Sequence, residues 1–474
     1  MDAKAPAVLF IPVNCASKKA PCPKCGKRGK RTRTHERNVR TIAYKQVVYL
    51  QVTYGEYQAR CDCCTTFCNS PEDVVPKAKY DNKVRQAVID RLIEDGMNVD
   101  SILRALKRDF LLDLSVGFVY DCMRDMVQRT ELAEHRQMVL KHFSGTLCVD
   151  EIHLGKNTLL LATDPLSDMP VAFALVSTND QEHMRRFLKN LRTWGLQPRV
   201  VVSDDSSLYP KVLAELWPEA EHQLCVFHVL KNINKLVLDA VRRLRNRLAR
   251  KGNGGRRKRR GRKSKKQKAQ QQRRGPTAKE KSKFIFKKRF LIVTRRAELN
   301  TAQKKHLRQM FQYLPALAPL REFVDRLYAL LSPKQSEHQA WCRRAALAKD
   351  KAYQPFPELQ QALEMLAPEK FTKIIAFLRS PAAKRVRTNN HVERANRKLR
   401  FWEKVRYKWR RRRTIVQFMV LALDHWWKRL REMHAQASAK VARKPGKKTN
   451  RKTTKKTSYP KSHENAAKSY RKAG

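Results

Sequence analysis

The order of strand-like and helix-like segments between residues 144 and 240 limits the fold more than any other feature of this chain. Thr146-Leu147-Cys148-Val149-Asp150 reads as a short buried strand. Thr158–Thr163 and Val171–Val176 follow it, separated by the turn residues Gly155, Asn157, Pro165, Asp168 and Pro170. Three strands joined this closely predict a meander. Asp180–Trp194 has helical spacing. Arg199–Ser203, with Val200, Val201 and Val202 in a row, is the apolar run expected of a strand buried on both faces. Ser206–Trp217 reads as a helix, His222–Val226 as a strand and His228–Leu248 as a helix. The order β-β-β-α-β-α-β-α predicts an α/β core built on a mixed five-stranded sheet. In such a sheet Asp150, ending the first strand, and Asp204, ending the fourth, can be neighbours.

Two carboxylates at adjoining strand ends suit a divalent cation, because hard ions such as Mg²⁺ take oxygen ligands. A third carboxylate on a later helix would complete a site for in-line attack on a phosphodiester. Thr388-Asn389-Asn390-His391-Val392-Glu393-Arg394-Ala395-Asn396-Arg397 supplies one. Glu393 lies one turn from Asn396 and Arg397, which share its helix face. Taken singly, most strand-end Asp residues merely cap helices.

The charge names the kind of partner. The 474 residues carry a formal net charge of +60, and Lys and Arg release counterions from phosphate backbones. Residues 250–289 hold twenty Lys/Arg against one Glu, and residues 435–474 thirteen against one, which leaves +29 on the rest. The folded part is therefore basic in its own right. A structural RNA-binding protein would explain the charge but not the ordered acids.

These features resemble the RNase H-like catalytic core of DDE transposases. The matching segments are Cys148-Val149-Asp150-Glu151, Val201-Val202-Ser203-Asp204 and the Thr388–Arg397 segment. The last is similar to the Ser-Asn-x-x-Glu-x-x-Asn signature of bacterial insertion-sequence transposases. Gln223–Asn232, with Cys225 and His228, resembles the family's Cys-or-Asp-x-x-His motif. An all-helical insertion before the Glu is a further family feature, and the resemblance spans residues 15–432. It implies that Asp150, Asp204 and Glu393 hold Mg²⁺ (or Mn²⁺), with Cys225, His228, Asn390 and Asn396 in support. It also implies hydrolysis at transposon ends, strand transfer by the freed 3′-hydroxyl, and binding of terminal inverted repeats and target in double-stranded DNA. A homo-oligomer associated with the cytoplasmic nucleoid would follow. Asp204 is preferred to Asp205 because it directly follows the strand. Cys225 and His228 alone are only half a zinc site, so support of the active-site helix is the preferred reading. The rival functions are a domesticated, catalytically inert DNA-binding regulator and a nuclease without strand transfer.

The flanking regions fit the same picture. The eleven Cys are odd in number, and no leader or run of ~18 apolar residues is present, so metal binding is expected rather than disulfides or a membrane span. Cys22-Pro-Lys-Cys25 and Cys61-Asp-Cys63-Cys64 flank β-forming sequence over residues 15–75, the layout of a zinc ribbon; Cys63 and Cys68 are spare. Residues 80–130 predict a helix-turn-helix from Asn82–Glu94, Val99–Phe110 and Val116–Arg129. Tyr120, Arg124 and Gln128 form the groove-facing side of the third helix. The core runs over 144–249 and resumes at 386–432, with a helical insertion at 290–385. Residues 250–289 predict a disordered basic linker, and 438–474 a disordered basic tail. Residues 401–430 combine Trp402, Tyr407, Trp409, Trp426 and Trp427 with Arg410, Arg411, Arg412 and Arg413. The stripe Ile415, Phe418, Met419, Leu421, Ala422 and Trp426 predicts core, and the Arg run phosphate contact.

Overall fold

The computed structural model describes residues 7–251, 276–381, 383, 385–405 and 411–442. The chain divides into two compact units, residues 1–427 and 428–474. Within the second, the described part is helical through Ala442. Helix thus extends four residues past the predicted start of the tail; residues 443–474 lie outside the described residues.

The first unit opens with a sheet of five strands: β1 Val8–Asn14, β2 Lys19–Pro21, β3 Arg28–Thr41, β4 Val47–Cys61 and β5 Cys64–Cys68. β3 and β4 pair antiparallel along most of their length, and β2 and β5 extend one end as short hairpins. β1 pairs parallel with the other end of β4. That end is fixed by Arg40, which donates to Val48 O at 2.8 Å and to Phe110 O at 3.0 Å. Phe110 ends a helix, where carbonyls lack helical partners, so a buried guanidinium joins sheet to helix.

Three helices follow, each with a side-chain N-cap: α1 Asn82–Ile93 on Asp81, α2 Val99–Phe110 on Asn98 and α3 Val116–Gln128 on Ser115. Gly96 makes the α1–α2 turn at φ +66°, and a Cβ there would come within 3.2 Å of Trp402 Nε1. A fourth helix, α4 Leu132–His142, was not anticipated; it has no side-chain cap and buries only Val139.

The central sheet comprises β6 Thr146–Leu154, β7 Asn157–Asp164, β8 Met169–Val176, β9 Val200–Ser203 and β10 Glu221–Leu224. Its order is β10-β9-β6-β7-β8. β6, β7 and β8 are antiparallel, and β9 and β10 add parallel to β6. Helices α5 Gln181–Thr193 and α6 Pro210–Leu216 connect these strands, and α7 Val226–Lys251 leaves the sheet. Cys148 faces Val202 across β6 and β9. Contrary to expectation Asp150 does not end its strand, because β6 stays paired with β7 as far as Leu154. It lies two residues past Cys148, as Asp204 does past Val202.

The linker expectation needs correction at its C-terminal end. Residues 252–275 lie outside the described residues, but α8 Ala278–Lys288 is a helix packed on α7. Thr277 and Glu280 form a reciprocal capping box, and Ile285 is fully buried. The density of Lys and Arg hid this amphipathic turn. The insertion continues with α9 Thr301–Tyr313, α10 Ala318–Leu330, α11 Glu337–Ala348, α12 Pro357–Glu364 and α13 Pro368–Ile374. Pro357 and Pro368 start helices rather than break them, because the first turn needs no proline N–H. The insertion buries its own core against α7.

α14 Asn390–Val405 and α15 Arg412–Ala442 return the chain to the sheet. Ile415, Phe418, Met419, Leu421 and Ala422 are buried, in one core with β6, β7, β9 and α1–α3. The three front helices therefore share their core with the central sheet. Among the described residues no helix is long and apolar enough to cross a membrane.

Candidate active site

Each buried polar residue at the start of α14 reaches toward the sheet. Asn389 Nδ2 donates to Val149 O at 2.8 Å, and the Asn389 N–H points at Cys225 Sγ at 3.2 Å. His391 Nε2 lies 2.7 Å from Asp168 Oδ1 in the β7–β8 turn. Asn396 Nδ2 donates to Asp150 Oδ2 at 2.8 Å. These contacts hold α14 across the middle of β6. Arg397 and Asn390 are exposed. Asn390 was expected in support of the site; it opens α14 on the exposed side, and its neighbour Asn389 makes the contacts to Val149 and Cys225 instead.

Asp150, Asp204 and Glu393 form one electrostatic cluster. Burial pushes the Asp150 carboxyl up to about 7, and the charge of Glu151 and then those of Asp204 and Glu393 push the same way. The sequence reading missed Glu151 as part of the site. Burial raises its carboxyl too, and Asp204 adds to the effect. Glu151 accepts a short hydrogen bond from the fully buried Tyr209 hydroxyl and a 3.4 Å one from Asn179. Tyr209 precedes α6, so this bond secures the loop that begins at Asp204. The position after a strand-end Asp was the available signal, but alternation along a strand assigns that residue to the other face.

Asp204 and Asp205 separate cleanly. Asp204 Oδ1 accepts the Ser206 N–H at 3.0 Å, and its charge bears on Asp150 and Glu151. Asp205 instead pairs with Lys370 of α13 at 2.9 Å. Asp205→Asn is expected to cost about 0–1 kcal/mol, the worth of an exposed ion pair, and to leave catalysis near that of the parent chain. Thermal melting and a cleavage assay check this; a dead Asp205→Asn variant would reverse the assignment.

Cys225 directly precedes α7, and its sulfur already accepts from the Asn389 backbone. His228 Nε2 lies 3.8 Å from Glu393 Oε1. One ligand atom from each of Cys225, His228 and Glu393 falls within 4.8 Å of the others.

A second cluster lies at the far end of the first sheet. The tip of the β2–β3 hairpin carries Cys22 and Cys25, and Cys61 and Cys64 pair across the β4–β5 turn. Sulfur atoms of Cys22, Cys25, Cys61 and Cys63 all lie within 4.8 Å of one another. Cys64, chosen from spacing, sits 3.5 Å from Cys22 but outside that set of four. The two-residue turn swings the Cys63 thiol inward, to 3.1 Å from Cys61. Backbone N–H groups of Lys24 and Cys25 aimed at its sulfur lower the Cys22 thiol to about 6. The apolar core here is small: Ala20, Cys22, Tyr57 and Phe67.

Tyr120, Arg124 and Gln128 are exposed along one face of α3, with Arg124 paired to Asp121 at 2.7 Å. Arg411, Arg412 and Arg413 are exposed, and Arg412 also donates to Leu175 O. Arg410, Tyr407 and Trp409 lie outside the described residues. Trp402 and Trp427 are buried, so these two aromatics pack the core rather than offer stacking faces.

A mixed sheet with helices against it, carrying acids on β6 and just past β9 with a further acid on α14, makes this an α/β core. A family model described as a transposase, of the DDE group and the ISL3 type, matches residues 147–411, more than half of the chain. The chain belongs to this family of insertion-sequence DDE transposases. No curated protein matches it.

Proposed function

We propose that this transposase has an RNase H-like core that binds terminal inverted repeats of its element, cleaves DNA at their ends and joins the freed 3′-hydroxyl to target DNA. The observation that carries this reading is the electrostatic coupling of half-buried Asp150, on β6, to Asp204, just past β9, and to Glu393, on α14. Divalent cations fit it: the donors are oxygens, and the buried Glu393 Oε1 has no hydrogen-bond partner. Asp150, Asp204 and Glu393 would hold Mg²⁺ or Mn²⁺, which when bound supplies charge stabilisation at the scissile phosphate. Asn389 and Asn396 fix the helix and Asp150 in place, and His228 and Cys225 support Glu393 and its helix start. The exposed face of α3 and the exposed Arg411 and Arg413 suit DNA contact, with α1–α3 read as a helix-turn-helix. The clustered thiols are read as a structural Zn²⁺ ribbon.

The test is incubation of the purified chain with Mg²⁺ and linear DNA carrying the sequences that flank its gene. End-specific breaks with free 3′-hydroxyls, followed by joined products, are expected. Specific binding without breaks would favour an inert regulator, and breaks without joining a simple nuclease.

The acid cluster also makes stability depend on pH. Asp150 has its carboxyl raised to about 7 in the folded chain, against an ordinary 3.8. Its contribution is fully present below pH 3.8 and is lost as pH rises through about 7. Metal-free protein is therefore expected to lose melting temperature across that window relative to Asp150→Asn, and Mg²⁺ to restore it at the upper end.

A further inference from the structure

Asn396 is only 8% exposed, yet its side-chain Oδ1 has no hydrogen-bond partner. Its Nδ2 donates to Asp150 Oδ2 at 2.8 Å, so the amide sits against the acid cluster. Glu393 lies one turn earlier on the same face of α14, with its Oε1 3.8 Å from His228 Nε2. Buried polar atoms are rarely left without a partner, and the Asn396 oxygen belongs to a residue that already touches the acid cluster.

An amide carries its oxygen and its nitrogen on one carbon, and half a turn about the last side-chain bond exchanges them. The charge it faces decides the orientation. Beside a bare carboxylate the N–H is favoured; beside a cation the oxygen is. We propose that Asn396 is a fourth oxygen ligand of the divalent cation, so that three acids and one neutral amide build the site. This rests on the reading of Asp150, Asp204 and Glu393 as metal ligands. A neutral donor raises the coordination number without a further negative charge in a cluster where Glu151 already adds one. The three-residue step from Glu393 to Asn396 places both residues on one face of α14.

Mn²⁺ titration of the full-length chain, followed by the electron paramagnetic resonance signal of free Mn²⁺, tests the proposal without any turnover. Asn396→Ala is expected to weaken Mn²⁺ binding about tenfold. Asn396→Asp, which keeps an oxygen at that position, is expected to bind at least as tightly as the parent chain. Asn396→Ser serves in place of Asn396→Ala if the latter does not fold. Unchanged affinity in Asn396→Ala overturns the proposal. So does an Asn396→Asp variant as weak as Asn396→Ala, because the N–H donated to Asp150 would then be the whole contribution. Asp150→Asn is the control: if the parent chain binds no more Mn²⁺ than Asp150→Asn, the metal-site reading fails and takes this proposal with it.

Discussion

Asp150→Asn, Asp204→Asn and Glu393→Gln are each expected to lower end cleavage and strand transfer by about 10³-fold, the kinetic equivalent of about 4 kcal/mol of transition-state stabilisation. DNA binding should hold or tighten, because each change removes a negative charge that repels phosphate when no metal is bound. The three positions come from β6, β9 and α14, so an equal effect at all three is hard to obtain from local unfolding. Asp150→Asn preserves shape and can still accept from Asn396 Nδ2. Relief of a buried carboxyl should raise rather than lower its metal-free stability at neutral pH. Cleavage rates, gel-shift affinity and melting temperature on the same preparations check the triad. A variant that loses cleavage and melts early would point to structure instead.

The second large effect concerns the cysteine cluster. Purified chain is expected to hold one Zn²⁺, and Cys22→Ser with Cys25→Ser to release it. The four-residue apolar core at that end of the first sheet cannot order two hairpins alone, whereas structural zinc contributes about 10–16 kcal/mol in small zinc domains. Loss of metal should expose the β2–β3 and β4–β5 hairpins to protease while the central sheet stays folded. Element analysis and limited proteolysis read both. Serine at Cys63 and at Cys64, tested singly, separates the inward thiol from the one favoured by spacing: whichever releases zinc is the fourth ligand.

Much of the site was legible because short apolar strands and one helix motif carry it, although β6 runs on to Leu154 instead of ending at Asp150. Val200-Val201-Val202 could only be a doubly buried strand, and that put Asp204 at its end. The Asn389–Asn396 segment announced a helix with its functional face at three- and four-residue steps. Glu151 was missed because alternation on β6 turns it from Asp150, and its partner Tyr209 lies 58 residues away. Asn389 was missed because the motif resemblance pointed to Asn390, and which of two adjacent Asn faces the sheet turns on a helix start that sequence does not place to one residue. α8 was hidden by its lysines, although Thr277 and Glu280 spell a capping box. Trp402 and Trp427 could be counted as stacking faces only until their burial was known.

The most direct measurement of the central claim replaces Mg²⁺ with Fe²⁺ and generates hydroxyl radicals with ascorbate and peroxide, so that the backbone is cut beside whichever residues hold the ion. Cuts at or next to residues 150, 204 and 393 together, suppressed by excess Mg²⁺ and absent in Asp150→Asn, are the expected result. Cuts confined to residues 225, 228 and 393, or Mg²⁺-insensitive cuts elsewhere, would contradict it and move the metal to the Cys225–His228–Glu393 cluster or away from the acids altogether.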